Sequence, residues 1–335
     1  GSAKVAGRLR SEAGTRPPGA GGDGSRGLAA AECCIGAPHL LKGECAEGVG
    51  PEIDIHAVRQ PLGVVAGITP FNFPAMIPMW KFCPAIAAGN AFILKPSERD
   101  PSVPMLLAEL MLEAGLPAGI LNVVNGDKET VDGILDHRDI MAVGFVGSTA
   151  VAEYVYTRGC AAGKRVQCFG GAKNHMLIMP DADMDKAVDA LVGAGYGAAG
   201  ERCMAVSVAV PIGEGTADRL MEKLTPRVER LKIAPYTVGD DADFGPLVTS
   251  EARARVTGYV DKGVEEGATL VVDGRDFALQ GYENGFFIGP CLFDRVTRDM
   301  TIYKEEIFGP VLSVVRAKTY EEGLDLAMHQ DYGNA

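Results

Sequence analysis

Cys203 is the residue best placed to do chemistry. It sits in the stretch 195–205, GYGAAGERCMA, with Glu201 and Arg202 directly before it. Glycine and alanine on either side leave backbone N–H groups and the thiol open to a ligand. The neighbouring guanidinium favours the thiolate, which is the nucleophilic form. Read by itself the same window also fits a small buried hydrophobe, the ordinary role of a free cysteine. A second candidate is FVGSTAVAEY, residues 145–154, where Gly147, Ser148 and Thr149 fall at the start of a helix. Free N–H groups and the helix dipole there suit a phosphate, and the competing reading is a plain Ser or Thr cap. No complete G-x-G-x-x-G occurs, so the segment carries no standard dinucleotide fingerprint.

The elements that must position these residues alternate in type. GVVAGI (63–68) reads as a buried strand followed by the turn TPFNFP, and 74–88 reads as a helix. AFILK (91–95) is a second buried strand. A helix over 103–114, strands at 121–124 and 142–146 and a helix opened by Ser148 continue the pattern. Strands alternating with helices imply right-handed crossovers and an α/β, doubly wound, Rossmann-like parallel sheet. Beyond Arg165 a second αβ pattern runs through VQCF, MLIM, a helix from Met184, SVAVPI, helices over 217–231 and 251–266, strands at 269–272 and 286–288, and KEEIFGPVLSVV (304–315). Residues 1–31 are rich in Gly, Ala, Arg and Ser without apolar periodicity, and disorder is expected there. The domains expected are 32–171 for dinucleotide binding and 172–335 for catalysis.

With 335 residues and 47% hydrophobic content the chain can build two cores. Its formal charge of -12 argues against a nucleic-acid or anionic-membrane surface. The eight cysteines and five histidines show no zinc or H-E-x-x-H spacing, so no metal is expected, and a reducing compartment, by default the cytoplasm, fits best. No apolar run is long enough to cross a bilayer.

PFNFP (70–74), KPSE (95–98), GFVGST (144–149), GERCMA (200–205) and EEIFGPV (305–311) occur in this order, and with them the chain resembles the NAD(P)-dependent aldehyde dehydrogenase superfamily. GAPHLLKGE, RQPLGVVAGITPFNFPAMIPMW and GAKNHMLIMPDAD look more narrowly like its CoA-acylating methylmalonate-semialdehyde dehydrogenase branch. The resemblance runs from about Glu32 to the last residue and leaves out segments at both ends of the family pattern, so an internal fragment of an incomplete aldehyde dehydrogenase fold is expected. It implies NAD as cofactor, CoA as co-substrate, a small semialdehyde as substrate and a homo-oligomeric parent.

Carried over by position, Cys203 is the nucleophile, and Asn72 offers its amide to the developing oxyanion together with the Cys203 N–H. Lys95 and Glu98, with Arg99 adjacent, match the adenosine ribose contacts, and Ser148 matches the pyrophosphate contact. Glu306 matches the carboxylate on the nicotinamide ribose, and Phe308 lies against the nicotinamide. Thr69, Phe71 and Gly170 are implied to line the same cleft. Arg202 is implied to meet the carboxylate of a malonate-type semialdehyde, as a bidentate fork would.

One absence bears on the acyl acceptor. Hydrolytic relatives carry E-L-G-G-K, whose lysine aligns with Lys173, and four places before it this chain has Phe169. Phenylalanine cannot activate water. A thiol titrates near about 8.5 and water near about 15.7, and at about 1.36 kcal/mol per unit the gap is on the order of 10 kcal/mol. A thiol acceptor such as CoA therefore dispenses with a base far more easily than water does. Two alternatives stay open: a hydrolytic enzyme that recruits a base elsewhere, and a non-catalytic fragment.

Overall fold

A computed structural model describes residues 2–13, 17–238 and 241–333. They form two compact units, one running to Gly170 and the other starting at Gly171. Among the described residues no helix is long and apolar enough to cross a membrane.

The first unit begins with α1 (Ser2–Ala13), α2 (Pro17–Cys34) and α3 (Ala37–Leu40), then an antiparallel pair of strands, β1 (Cys45–Gly50) and β2 (Ile53–His56). Next come β3 (Val64–Ile68), α4 (Met76–Ala87), β4 (Ala91–Lys95), α5 (Ser102–Glu113), β5 (Leu121–Val123), α6 (Lys128–Asp136), β6 (Ile140–Val146), α7 (Thr149–Ala161) and β7 (Arg165–Phe169). The five strands β3–β7 pair in parallel in the order β5-β4-β3-β6-β7. The chain winds outward from β3 in one direction and, after β5, returns to lay β6 on the other side of β3. A ligand crevice is expected at such a reversal, outside the carboxyl ends of the two strands. Phe82, Leu94 and Val103 are wholly buried on one face, and Leu135 and Val155 on the other.

The second unit contains β8 (Asn174–Ile178), α8 (Met184–Tyr196), a tight helical turn Gly197–Gly200, β9 (Val206–Pro211), α9 (Glu214–Glu229), α10 (Ser250–Glu265), β10 (Thr269–Val272), β11 (Cys291–Asp294), α11 (Thr301–Lys304), β12 (Val311–Val314) and α12 (Tyr320–Met328). Its sheet has the order β10-β11-β12-β9-β8, parallel except for the antiparallel edge strand β10. The central strands read VSVAVP and VLSV without polar alternation because both faces are covered.

Two expectations are corrected. The strand expected at 286–288 is irregular backbone; Phe287 and Ile288 are buried without pairing in the sheet. Disorder over 1–31 is also wrong for the described residues of that stretch, which are helical. Val5, Leu9 and Ala20 are buried among α4 and α5 side chains, and Asp23 accepts hydrogen bonds from Ala75 N (3.1 Å) and Met76 N (2.7 Å), where α4 begins. Composition hides this because a few small apolar positions, supplied with partners from other helices, overcome weak local propensity. Residues 1 and 14–16 lie outside the described set.

The N-terminal helices also bring carboxyls together. Glu12 accepts from Ser102 N (2.9 Å) and from the Ser102 hydroxyl at the start of α5, and Asp100 lies beside it, 3% exposed. Burial, followed by the Glu12 charge, raises the Asp100 carboxyl to about 8; Ser97 opposes the shift, and Asp23 and Glu98 add to it. The folded value lies above the unfolded 3.8, so the stabilisation is complete below about pH 4 and is lost as pH rises through about 8. Asp100→Asn is expected to flatten the fall in stability between pH 4 and 8 and to gain on the order of 5 kcal/mol at the upper end at most. Urea unfolding followed at Trp80, the single tryptophan and a member of this unit, measures it.

Candidate active site

In the first unit the residues singled out from the sequence sit at the carboxyl ends of the parallel strands. Thr69, Phe71 and Asn72 follow β3, Lys95, Glu98 and Arg99 end and follow β4, Ser148 follows β6, and Gly170 follows β7. Parallel pairing forces this, since every strand of such a sheet delivers its following loop to the same edge. Thr69 N donates to Lys95 O (3.0 Å), which ties the first two loops together.

Lys95, 5% exposed, reaches Glu98 Oε2 at 3.1 Å, and Arg99 Nε lies 3.9 Å from Oε1. Partial burial would raise the Glu98 carboxyl, but its own backbone N–H and the Lys95 and Arg99 cations hold it below the usual range. Ser148 occupies the cap position of the 13-residue α7 in extended backbone conformation, is exposed, and makes no side-chain cap. Its hydroxyl is therefore not used by the helix, and the positive end of the dipole faces outward.

Lys81, on α4, escaped the motif reading. Its stem crosses the sheet over Gly67 and Gly144, which are register partners in β3 and β6. A Cβ at these glycines would come within 3.1 Å of Lys81 Cδ and 2.9 Å of Nζ, respectively. Nζ ends 5.9 Å from the centre of the Phe169 ring, and among the described residues no carboxylate pairs with it. Burial lowers the ammonium to about 8, with Cys168 opposing. The two glycines, in GVVAGI and GFVGST, were the signal available in the sequence.

In the second unit one pocket gathers Cys203, Arg202, Glu306 and Phe308, four residues assigned roles from the sequence. Cys203 is half-buried and follows a turn in which Ala198 (φ 53°) and Ala199 (φ 54°) adopt left-handed backbone. Gly200 has φ +73°, and a Cβ there would lie 2.1 Å from Gly309 O, so glycine is obligatory where the turn meets the EEIFGPV loop. Phe308 is also left-handed, at φ 56°. Such conformations cost of order 1–3 kcal/mol each and are found where surrounding structure fixes a site.

Two neighbours in GAKNH hold the pocket. Asn174, 6% exposed, donates through Nδ2 to Cys203 O (3.0 Å) and Ala205 O (2.8 Å). Lys173, 1% exposed, donates through Nζ to Ile302 O (2.8 Å) and Glu305 O (2.7 Å), and burial lowers its ammonium to about 7 against the attraction of Glu306 and Glu305. Glu306 accepts from Ala172 N at 3.0 Å; burial raises its carboxyl, while that N–H, Lys173 and Arg255 oppose the rise. Sequence reasoning used Lys173 only as an alignment mark and missed Asn174. The guanidinium of Arg202 packs on Gly197 and donates to Gly193 O at 3.4 Å.

The aldehyde dehydrogenase family model matches residues 3–335. The chain belongs to the aldehyde dehydrogenase family. The match also corrects the expectation that residues 3–30 have no counterpart in it. Among aldehyde dehydrogenases the chain is 57% identical over 332 residues to malonate-semialdehyde dehydrogenase of Pseudomonas aeruginosa, covering 99% of the chain and 67% of that protein. It is 46% identical over 315 residues to the human mitochondrial acylating methylmalonate-semialdehyde/malonate-semialdehyde dehydrogenase, covering 93% and 58%. A Sinorhizobium meliloti crystal structure complexed with NAD superposes with TM-score 0.97 at 66% identity, over 99% of this chain and 67% of that one. Methylmalonate-semialdehyde dehydrogenase from Oceanimonas doudoroffii gives 0.96 at 51%, over 99% and 68%. The chain thus spans between about half and two thirds of its relatives' length, and it has the aldehyde dehydrogenase fold.

Asn174→Ala leaves two carbonyls at the nucleophile turn without their donor. A loss of about 2–3 kcal/mol is expected in the second unit, together with altered iodoacetamide reactivity of Cys203. Denaturant unfolding and peptide mass spectrometry read the two effects.

Proposed function

We propose that the protein oxidises malonate or methylmalonate semialdehyde with NAD, with loss of CO₂, and delivers the acyl group to CoA. The pocket that places Cys203 with Arg202, Glu306 and Phe308 under an anchored turn is the observation that carries this reading. The names of the two relatives support the choice of substrate, and the word acylating in the human one supports transfer of an acyl group.

The residues of the first unit fit a dinucleotide. An exposed serine with an uncommitted hydroxyl at the N-terminus of α7 suits a pyrophosphate. Lys95, Glu98 and Arg99 would hold the adenosine ribose, with Thr69, Phe71 and Gly170 lining the loop ends beside it. In the second unit Glu306 would bind the nicotinamide ribose and Phe308 would pack on the nicotinamide. When bound, NAD supplies the hydride acceptor.

The chain's own residues do the rest. The Cys203 thiolate adds to the aldehyde carbon, and the oxygen that gains the charge receives hydrogen bonds from the Asn72 amide and the Cys203 N–H. Arg202 pairs with the substrate carboxylate. Once the acyl thioester has formed, the C–C bond to that carboxylate breaks and CO₂ leaves. The electron pair left on the α-carbon, delocalised into the thioester carbonyl, takes up a proton from water. The acyl thioester on Cys203 then meets the CoA thiol, which gives its proton to solvent and, as the thiolate, forms a new C–S bond while the Cys203 C–S bond breaks and the Cys203 thiolate is restored. Phe169 supplies no carboxylate to activate water, so the thioester waits for a thiol.

Omission of CoA tests the acceptor. NADH is expected to form in at most one equivalent per active thiol without CoA and continuously with it; sustained formation at full rate in water alone would refute the CoA assignment. Cys203→Ser is expected to abolish both phases, and Asn72→Ala to lower kcat by about 10²–10³.

A further inference from the structure

His175 and Tyr303 take no part in the mechanism above, yet they join the two segments that meet at Glu306. His175, in β8, is half-buried; the Tyr303 ring of α11 is 4% exposed and meets the imidazole edge-on, with ring centres 5.4 Å apart. Nδ1 of His175 lies 2.8 Å from Lys173 O, which can only accept, so that nitrogen carries the ring proton. Nε2 lies 3.1 Å from the Tyr303 hydroxyl, and the hydroxyl lies 2.8 Å from Leu326 O in α12. Burial lowers the proton affinity of the imidazole; Lys173 O opposes the shift and the Lys173 ammonium adds to it, so the ring is neutral at neutral pH. The one hydroxyl proton then faces two acceptors, Nε2 and Leu326 O, and either choice keeps the oxygen between the ring and α12.

This bridge belongs to a lacing of residues 172–175 onto residues 302–306. Glu306 accepts from Ala172 N at 3.0 Å, Lys173 Nζ donates to Ile302 O (2.8 Å) and Glu305 O (2.7 Å), and His175 meets Tyr303. At the front of α11, Glu266 accepts from Thr301 N at 2.6 Å. α11 has only four residues, and a helical turn of that length has no stability of its own. The direction in which the chain leaves it toward Glu306 is therefore set by these ties. Glu266 and Lys173 grip its backbone, and the His175–Tyr303 contact is a tie made to a side chain.

We propose that His175 is a positioning residue for the Glu306 carboxylate, acting through the Tyr303 hydroxyl to keep that carboxylate on the Ala172 N–H. Without either partner, α11 turns about its remaining anchors and Glu306 leaves the Ala172 N–H part of the time. A ribose bound by the carboxylate is then held less well. That last step rests on Glu306 being the nicotinamide-ribose ligand, whereas the positioning does not.

The test measures the two steps separately in the unsubstituted chain, Tyr303→Phe, His175→Ala, the double variant and Glu306→Gln. Amide exchange at Ala172, followed by NMR of protein labelled with nitrogen-15 alanine, is expected to quicken roughly three- to tenfold in Tyr303→Phe and in His175→Ala. Ala209, wholly buried in β9, should stay as protected as before. Because one residue acts through the other, the double variant should be no worse than the singles. Unchanged exchange at Ala172 in Tyr303→Phe, which keeps the ring and removes only the hydroxyl, would overturn the proposal, and so would additive effects in the double variant. Titration with NAD is expected to show Kd raised roughly fivefold in the same variants, and at least as much in Glu306→Gln. Faster exchange at Ala172 with NAD affinity unaltered throughout, Glu306→Gln included, would uphold the positioning and refute Glu306 as the ribose ligand.

Discussion

Buried carbonyl groups must find donors, and in the second unit two consecutive residues meet that demand for both sides of the pocket. Lys173 supplies the carbonyls of Ile302 and Glu305, and Asn174 supplies those of Cys203 and Ala205. Both stand at the entry to β8, so the nucleophile turn and the loop of Glu306 are referred to one rigid point of the sheet. A lysine buried to this extent is tolerated because its donors are spent on backbone oxygens, and its lowered proton affinity records what the burial costs. Small residues such as Ala199, buried in the core, and Gly200, packed on Gly309, then suffice in the turn, since much of its position is set from outside.

Much of this was legible in the residues. Alternation of apolar strands with helices, with the turn after each strand, indicated a parallel sheet and put Asn72, Lys95 and Ser148 at strand ends. The order β5-β4-β3-β6-β7 was not legible, because periodicity tells that strands exist and not which neighbours they choose. GERCMA and EEIFGPV pointed to Cys203 and Glu306. Nothing local pointed to Asn174, whose task depends on carbonyls about thirty positions away.

The misreadings have a common origin. Residues 2–13 and 17–34 look featureless because their own apolar content is low, yet they fold by borrowing partners on α4 and α5 and by lending Asp23 to the start of α4. The 286–288 segment has the apolar character of a strand but is buried as irregular chain, with Leu247 N donating to Phe286 O. Lys81 was passed over for the opposite reason: a lone lysine in an apolar helix looks like a solvent contact until two glycines in register give its stem a lane across the sheet.

Ala198 and Ala199 hold a backbone shape that glycine would adopt more readily. The chain has kept methyl groups there at a cost of roughly 1 kcal/mol apiece. What the methyls take away is freedom: a pair of glycines would relax the folded turn but let the sulfur wander over many orientations. The strain is therefore a form of stiffness, and a more stable version of this protein obtained by substituting glycine at 198 and 199 would be one whose thiol is aimed less well.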